Sequence, residues 1–372
     1  MSISNLPGRA DAIYDKGVRK YLDRNGVTMF SMFAKKEPKT AYINGQPVTV
    51  NPKETLLQAA LREGVNFPYS CRVGGCATCK CKLEEGKVKE LTETGYILSD
   101  EDLDQGYILA CQSVPKTDIK IEVDLSAQAH VRTVAGRVIG QEKLTHDITR
   151  LALQLDEALL YKPGQYANIS VESVGEMSRS YSFATPSSPD GQVSFFVRQV
   201  PGGCFSTAIN ERELIEQPIS LEGPMGDFWL RPGTEPMLLI AGGSGLAPII
   251  ALLQGAIADG VSRPATLLFG AREQRDLYAL EEIQAIQLNW QGEFHFEPVL
   301  SEEAEGSSWQ GARGFVTEKI EQQLKDGAHA YLCGPPVMID AATDILRGLG
   351  VEGKHIHADR FTTQQDVVSA AS

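Results

Sequence analysis

The sequence predicts a multidomain chain of mixed α+β and α/β class, in which a compact mixed module, a small antiparallel β-barrel and a doubly wound parallel sheet follow one another. Three observations carry that expectation. At 372 residues the chain exceeds one ordinary domain, which holds about 150. Between Arg132 and about Arg231, short β-rich runs alternate with turn clusters and no helix dominates, the pattern of a small barrel. From Pro236 onward, apolar strand-like runs alternate with helical segments, the pattern of a parallel sheet covered on both faces.

The elements follow in order. Residues 1–38 read as a basic amphipathic arm: eight Lys/Arg against four acids leave residues 1–40 at +4, opposite in sign to the rest of the chain. Ile13, Tyr14, Val18, Tyr21 and Leu22 recur at helical spacing and Asn25-Gly26 supplies a stop, so a helix is expected there, followed by a Met/Phe-bearing stretch and a Lys-Lys-Glu-Pro linker. The first module spans 39–126. It has strands at Ala41–Ile43 and Pro47–Val50 joined by an Asn44-Gly45 hairpin turn, then a helix over Thr55–Glu63. The barrel spans 131–232, punctuated by Lys162-Pro163-Gly164, the turn from Ser187 to Gly191, and Pro201-Gly202-Gly203. In the last domain, 235–362, strands at Met237–Ala241, Ala265–Phe269, Phe294–Val299 and Ala330–Cys333 alternate with helices at Leu246–Ala258, Leu280–Ile286, Thr317–Leu324 and Val337–Leu349. A tail, 363–372, closes the chain.

Composition excludes several classes. Hydrophobic residues at 42% and charged residues at 22% are ordinary for a globular protein, and 35 Lys/Arg against 48 Asp/Glu give a net charge of −13, which repels nucleic acid. Seven cysteines, four of them between Cys71 and Cys81, fit metal ligation in a reducing cytoplasm better than a secreted disulfide framework. Charge and Gly/Pro punctuation reach the N-terminus before any apolar signal segment can form. The uncharged run Pro236–Ala258 is 23 residues long, enough to span a bilayer, but its centre is Gly242-Gly243-Ser244-Gly245, which reads as buried strand, turn and buried helix.

Cys71-x4-Cys76-x2-Cys79, with Cys111 after 31 further residues, is the plant-type [2Fe–2S] spacing. Structural zinc is the alternative, but it favours paired C-x2-C knuckles, and only Cys76/Cys79 has that form. Cys81 lies outside the pattern and reads as a non-ligating thiol. Arg179-Ser180-Tyr181-Ser182 offers a guanidinium, an aromatic face and hydroxyls, a set suited to a flavin. Gly203-Cys204-Phe205-Ser206-Thr207 opens a helix whose free N–H groups suit a phosphate. Gly242-Gly243-Ser244-Gly245 follows an apolar strand and opens a helix with Pro248 in its first turn, the context of dinucleotide phosphate binding, although it is not G-x-G-x-x-G. Cys333-Gly334-Pro335-Pro336 ends another strand on the carboxyl edge of the same sheet, where Cys333 could pack against a nicotinamide. His355 and His357 share a strand face but have no third ligand spaced to make a metal site.

The arrangement resembles the NADH-dependent reductase components of bacterial multicomponent oxygenases, in which a β-grasp, plant-type ferredoxin domain is fused to a flavin-binding barrel and a nucleotide domain. Benzoate and toluate dioxygenase reductases and soluble diiron monooxygenase reductases share this order, and the likeness runs from about Ala41 to Thr362. It implies Cys71, Cys76, Cys79 and Cys111 as cluster ligands, and Arg179, Ser180, Tyr181 and Ser182 as holding FAD. Gly203 to Thr207 would bind its pyrophosphate, with Gly242 to Gly245 on the dinucleotide phosphates. Arg272 and Tyr278 would lie near the adenosine, and Cys333 and Gly334 near the nicotinamide. The closing Asp359-Arg360-Phe361 resembles the family's acid-x-aromatic end, whose ring covers the flavin. Ser182, Cys333, Asp359 and Phe361 thereby form the implied catalytic set. The basic arm and Cys81 depart from the common pattern.

Such a chain converts two-electron NADH chemistry into single electrons, passing from NADH through FAD and the cluster to an external protein acceptor. The expected acceptor is a terminal oxygenase or hydroxylase, with NADH preferred over NADPH and a cytoplasmic monomer as the working form. One alternative is a membrane-bound desaturase or hydroxylase, met through peripheral membrane contact by residues 1–38. Another is a redox-sensing protein without turnover. Eight acids against two lysines within Glu84–Asp104 leave that stretch at −6, read either as a solvated face or as a surface that steers the acceptor.

Overall fold

The computed structural model describes residues 21–22, 28–29, 37–69, 74, 77–92, 94, 97–98, 100–125, 131–175 and 177–361. The counts below refer to these described residues. Strands β1 (Tyr21–Leu22) and β2 (Thr28–Met29) pair antiparallel, with Tyr21 opposite Met29. This corrects the helix expected through Tyr21 and Leu22. Asn-Gly is a hairpin signal as much as a helix stop, and here the segments on either side of it pair as extended chain. The rest of the expected helix lies outside the described residues.

The first module contains β3 (Lys39–Ile43), β4 (Gln46–Val50), α1 (Leu56–Arg62), β5 (Lys80–Glu85), β6 (Val88–Glu90), α2 (Asp100–Asp104), β7 (Tyr107–Leu109), β8 (Ser113–Pro115) and β9 (Ile119–Glu122). Asn44 and Gly45 both adopt positive φ, 48° and 84°, the geometry a two-residue hairpin turn requires. Thr55 caps α1: its Oγ1 accepts from Gln58 N at 3.2 Å and the Gln58 side chain accepts from Thr55 N at 3.0 Å. The sheet runs β4-β3-β9-β5-β7, with β3 and β9 parallel, and α1 buries Leu56, Leu57, Ala59 and Ala60 in the module's core.

The barrel contains β10 (Arg132–Lys143), β11 (Ile148–Leu155), β12 (Tyr166–Val171), β13 (Arg179–Ser182), β14 (Gln192–Arg198), α3 (Cys204–Glu211) and β15 (Pro218–Met225). Its antiparallel order is β13-β12-β15-β10-β11-β14, and a bridge between Phe183 and Phe195 brings the two ends together. Alternate residues of these strands fill the interior, where the Tyr161 ring stacks on Phe183 at 3.7 Å.

The last domain contains β16 (Met237–Gly242), α4 (Leu246–Ala258), β17 (Ala265–Ala271), α5 (Leu280–Asn289), β18 (Phe294–Leu300), β19 (Ala312–Arg313), α6 (Ile320–Gln323), β20 (His329–Gly334), α7 (Pro336–Gly348) and β21 (Ile356–Arg360). All are parallel, in the order β19-β18-β17-β16-β20-β21. Leu239, Ala241, Leu267 and Phe269 pack into one core, and Leu238, Ile240, Leu268 and Leu332 into another on the opposite face, so both faces are covered. The segment expected as one helix over Thr317–Leu324 is a 3₁₀ stretch, Val316–Lys319, leading into the short α6. The 23-residue apolar run forms β16, the glycine turn and α4; no helix among the described residues is long and apolar enough to cross a membrane. Strand order reverses between β16 and β20, and the crevice that ligands use in such sheets opens there, at the carboxyl ends.

Candidate functional site

Strand geometry brings four of the expected residues to that crevice. Cys333 ends β20 beside Ala241 of β16 and Asp359 of β21. From the barrel, Ser182 reaches the same place and its Oγ donates to Asp359 Oδ2 at 3.3 Å. Phe361 follows β21, anchored by its N–H to the Gly334 carbonyl at 2.9 Å, and packs on the core that contains Cys333. Burial, then the Asp359 charge, push the Cys333 thiol well above its ordinary range, so it is an uncharged SH at neutral pH.

The loop after β16 comes so close to β20 that a Cβ on Gly245 would stand 2.2 Å from the Cys333 carbonyl oxygen. Only glycine permits this approach, which leaves the N–H groups opening α4 facing the crevice, a cradle suited to phosphate. Tyr278 supports the loop from beneath. It is 4% exposed, donates its hydroxyl to the Gly243 carbonyl at 2.8 Å, and is flanked edge-on by Phe196 and Phe269. Tyr278 therefore braces the glycine loop after β16. Arg272, just past β17, is 44% exposed, and Asp276 lies 3.4 Å from its Nε.

On the barrel, Arg179 and Ser180 are exposed, Tyr181 is half-buried against Phe205 with ring centroids 5.9 Å apart, and Ser182 is buried. Ser180 donates to Asn168 Oδ1 at 2.7 Å, and Asn168 in turn donates to Glu222 at 3.1 Å. Gly203 stands at the N-cap of α3 and makes no side-chain cap, so the first-turn N–H groups stay available to an anion. Phe205 faces the barrel core, and Ser206 staples the turn by accepting from Val200 N at 3.0 Å. What this segment can offer a ligand is mainly its backbone, with Cys204 exposed at its edge.

In the first module Cys79 and Cys111 are buried together, and the Cys111 N–H points at Cys79 Sγ across 3.5 Å. Gln112 Nε2 stands 3.7 Å from Cys111 Sγ. Both contacts favour thiolate sulfur, the form a cluster needs. Gly74, at φ +83°, lies so near Gln112 that a Cβ would meet its Cγ at 2.8 Å. Cys71 and Cys76 fall outside the described residues. Cys81 is 1% exposed, and burial, reinforced by Cys111, raises its thiol well above the ordinary range, which keeps it protonated. The donor set and the glycine approach fit an iron–sulfur cluster.

The barrel and the nucleotide domain are also joined by charge. Arg150 of β11 pairs with Glu282 of α5, and Asp147, held within the barrel by Arg198 Nε at 2.9 Å, lies 3.6 Å from Arg272 Nη2 of the nucleotide domain. Sequence reasoning missed Asp147 and Arg150, since no local pattern marks residues whose partners lie in another domain. Among the described residues, the acidic run is partly neutralised inside its own module: Lys80 holds Asp102 at 3.0 Å and Lys120 holds Glu85 at 2.6 Å.

Comparison with known proteins agrees with this layout. A 2Fe-2S iron-sulfur cluster binding domain matches residues 41–116, an oxidoreductase FAD-binding domain 135–229, and an oxidoreductase NAD-binding domain 239–344. The chain is 43% identical over 335 residues to the xylene/toluene monooxygenase electron transfer component XylA of Pseudomonas putida, covering 89% of this chain and 95% of that one. It is 35% identical over 327 residues to the ferredoxin–NAD(P)(+) reductase component of the naphthalene 1,2-dioxygenase system of Pseudomonas putida, covering 86% and 96%. Among solved structures it is similar to the Amycolatopsis cytochrome P450 reductase GcoB, with a TM-score of 0.69 and 33% identity, covering 87% of this chain and 99% of that one.

Proposed function

Because the chain belongs to the electron-transfer reductase components of oxygenase systems, with iron–sulfur, FAD-binding and NAD-binding domains in that order, we propose that its acceptor is the terminal component of a monooxygenase like the one XylA serves. The chain is an NAD(P)H-dependent oxidoreductase. The observation that supports the finer reading is 43% identity sustained over 95% of that relative. Reconstitution tests it: purified chain, NADH and a xylene/toluene-type terminal monooxygenase should yield hydroxylated product. The reading fails if cytochrome c is reduced steadily while that oxygenase yields no product. Loss of cytochrome c reduction as well would point instead to a sensor without turnover.

When bound, FAD exchanges two electrons with a nicotinamide and single electrons with an iron–sulfur cluster, which neither of those can do for the other. The residues that would hold it are Arg179, Ser180, Tyr181 and Ser182, with the backbone of Gly203 to Thr207. Cys71, Cys76, Cys79 and Cys111 would hold the cluster, and Gly242 to Gly245, Arg272, Cys333 and Gly334 the dinucleotide. Ser182 presents a hydroxyl whose direction is fixed by Asp359. The neutral Cys333 thiol would offer a bound nicotinamide an uncharged wall, and Phe361, packed on the same core, would help to exclude water. We place the domain boundaries at 39–126, 131–232 and 235–362, and the working form as a cytoplasmic monomer. Contact with a membrane-bound acceptor would fall to residues 1–38, whose +3 charge suits an anionic surface. Flotation with anionic vesicles, with and without residues 1–38, tests that role, and equal flotation of both forms removes it.

A further inference from the structure

Asp147 belongs to the barrel, in the turn between β10 and β11, yet its carboxylate serves the nucleotide domain. Its Oδ2 accepts from Arg198 Nε at 2.9 Å and lies 3.6 Å from Arg272 Nη2, while Oδ1 accepts from Thr145 Oγ1 at 3.0 Å. Arg272 is gripped a second time at its Nε by Asp276 Oδ2, 3.4 Å away, and the other Asp276 oxygen lies 3.5 Å from His146 Nδ1. Burial would raise the Asp147 carboxyl, but the Arg198 hydrogen bond and charge hold it below the ordinary carboxylate range, so it is ionised at neutral pH.

The position of this network gives it a function. Arg272 follows the second strand of a doubly wound sheet, and at the end of that strand such folds sort a ribose 2′-hydroxyl from a 2′-phosphate. Arg198 Nη1 stands 3.2 Å from where a Cβ on Gly243 would be, so the network borders the phosphate loop. An exposed arginine at this place would attract a 2′-phosphate. Here its guanidinium already lies between two carboxylates, Asp276 at 3.4 Å and Asp147 at 3.6 Å, the second shared with Arg198. To meet a 2′-phosphate it would have to leave both, so that two carboxylates sharing only Arg198 carry a net negative charge beside a group of charge about −1.5 to −2. His146, Asp147 and Asp276 bring their ligand atoms within 4.8 Å of one another, a spacing that could hold a cation, but two guanidinium groups already balance the two carboxylates.

We propose that Asp147 is a specificity-determining residue for the dinucleotide: reaching across from the flavin-binding barrel, it locks Arg272 away from a 2′-phosphate and so sets a preference for NADH over NADPH. The proposal rests on the reading of this crevice as the dinucleotide site. It places one determinant of coenzyme choice outside the nucleotide domain, which makes that choice depend on how the two domains are docked.

The test is Asp147→Asn, which removes the charge and keeps an oxygen for Thr145; Asp276 is unsuitable because it also caps the turn at Glu273. The kcat/KM for NADH and for NADPH is measured with ferricyanide as acceptor on flavin-loaded protein. Binding of 2′,5′-ADP against 5′-ADP is measured by calorimetry. The NADH/NADPH ratio should fall about tenfold or more, mainly through the NADPH KM, and 2′,5′-ADP should bind at least about fivefold tighter. In Asp147→Asn/Arg272→Gln both gains should vanish. A ratio within twofold of the parent, a gain that survives in the double variant, or a parent chain that favours NADPH would each overturn the proposal. Asp147→Ser replaces the Asn variant if that one loses its flavin. A parent chain that oxidises neither coenzyme would sink the reading of the crevice itself.

Discussion

Acid should loosen the nucleotide domain through one face of β20 and β21. His329 of β20 stacks on His355, at the end of the 3₁₀ turn before β21, with ring centroids 4.2 Å apart, and Tyr331 lies beside His357 across the two parallel strands at 4.9 Å. His329 Nδ1 and His357 Nε2 are buried without hydrogen-bond partners. Burial, then the charges of Arg231, His329, His355 and Arg263, push His357 down to about 3, and burial with His355 and Arg263 lowers His329, opposed there by Glu235. A histidine depressed in the folded state is refused a proton that the unfolded chain accepts. Its contribution is therefore complete above the unfolded pKa of about 6.5 and drains away as pH falls toward 3. At pH 5 the gap of about 1.5 units is worth about 2 kcal/mol. His357→Asn removes the titration. Urea unfolding of the nucleotide domain at pH 7.5 and pH 5 should then show the parent losing about 2 kcal/mol more than the variant between the two pH values. The lost contact with Tyr331 is common to both and cancels. An equal loss in parent and variant would refute the reasoning.

Gly245→Ala sets a Cβ against the backbone of Cys333, which cannot yield as a side chain would; overpacking of about 1–3 kcal/mol should slow flavin reduction by NADH roughly ten- to a hundredfold in stopped flow while cluster absorbance is kept. Ser182→Ala removes the hydroxyl that Asp359 orients and should lower kcat about a hundredfold with little change in the NADH KM; a change confined to KM would contradict the role. Cys111→Ser should abolish the paramagnetic signal of the reduced cluster and leave flavin reduction by NADH intact, whereas Cys81→Ser should keep the signal. Zinc in place of iron in the purified parent would end the cluster assignment.

What could be read in the sequence was what is written locally. The Cys79 pattern, the Asn44-Gly45 turn, the strand-loop-helix through Gly245 and the two-sided burial of β16 all depend on neighbours a few residues away, and periodicity or spacing records them. Tyr21 and Leu22 defeated the same method, because two apolar residues before Asn-Gly suit a helix end or a hairpin equally and pairing with Thr28 and Met29 decides. The support Tyr278 gives the glycine loop was not legible, because Gly243, Phe196 and Phe269 are distant from it in sequence. The link between Asp147 and Arg272 joins two domains, and no composition rule anticipates it. The acidic count from Glu84 to Asp104 overstated free charge, since Lys80 and Lys120 engage two of those carboxylates from other strands.

The hydrogen bond from Ser182 to Asp359 spans 177 residues, and Phe361 is tied to Gly334 only after β21 has docked at the edge of its sheet. A ribosome adding about 5–20 residues per second therefore finishes the barrel, at Met225, roughly seven to twenty-seven seconds before it delivers the last residue of β21. In that interval the nascent chain can bury its first two cores, but Cys333, Asp359 and Phe361 are not yet in place. The contacts that tie barrel to nucleotide sheet at this crevice therefore form last, with the edge strand.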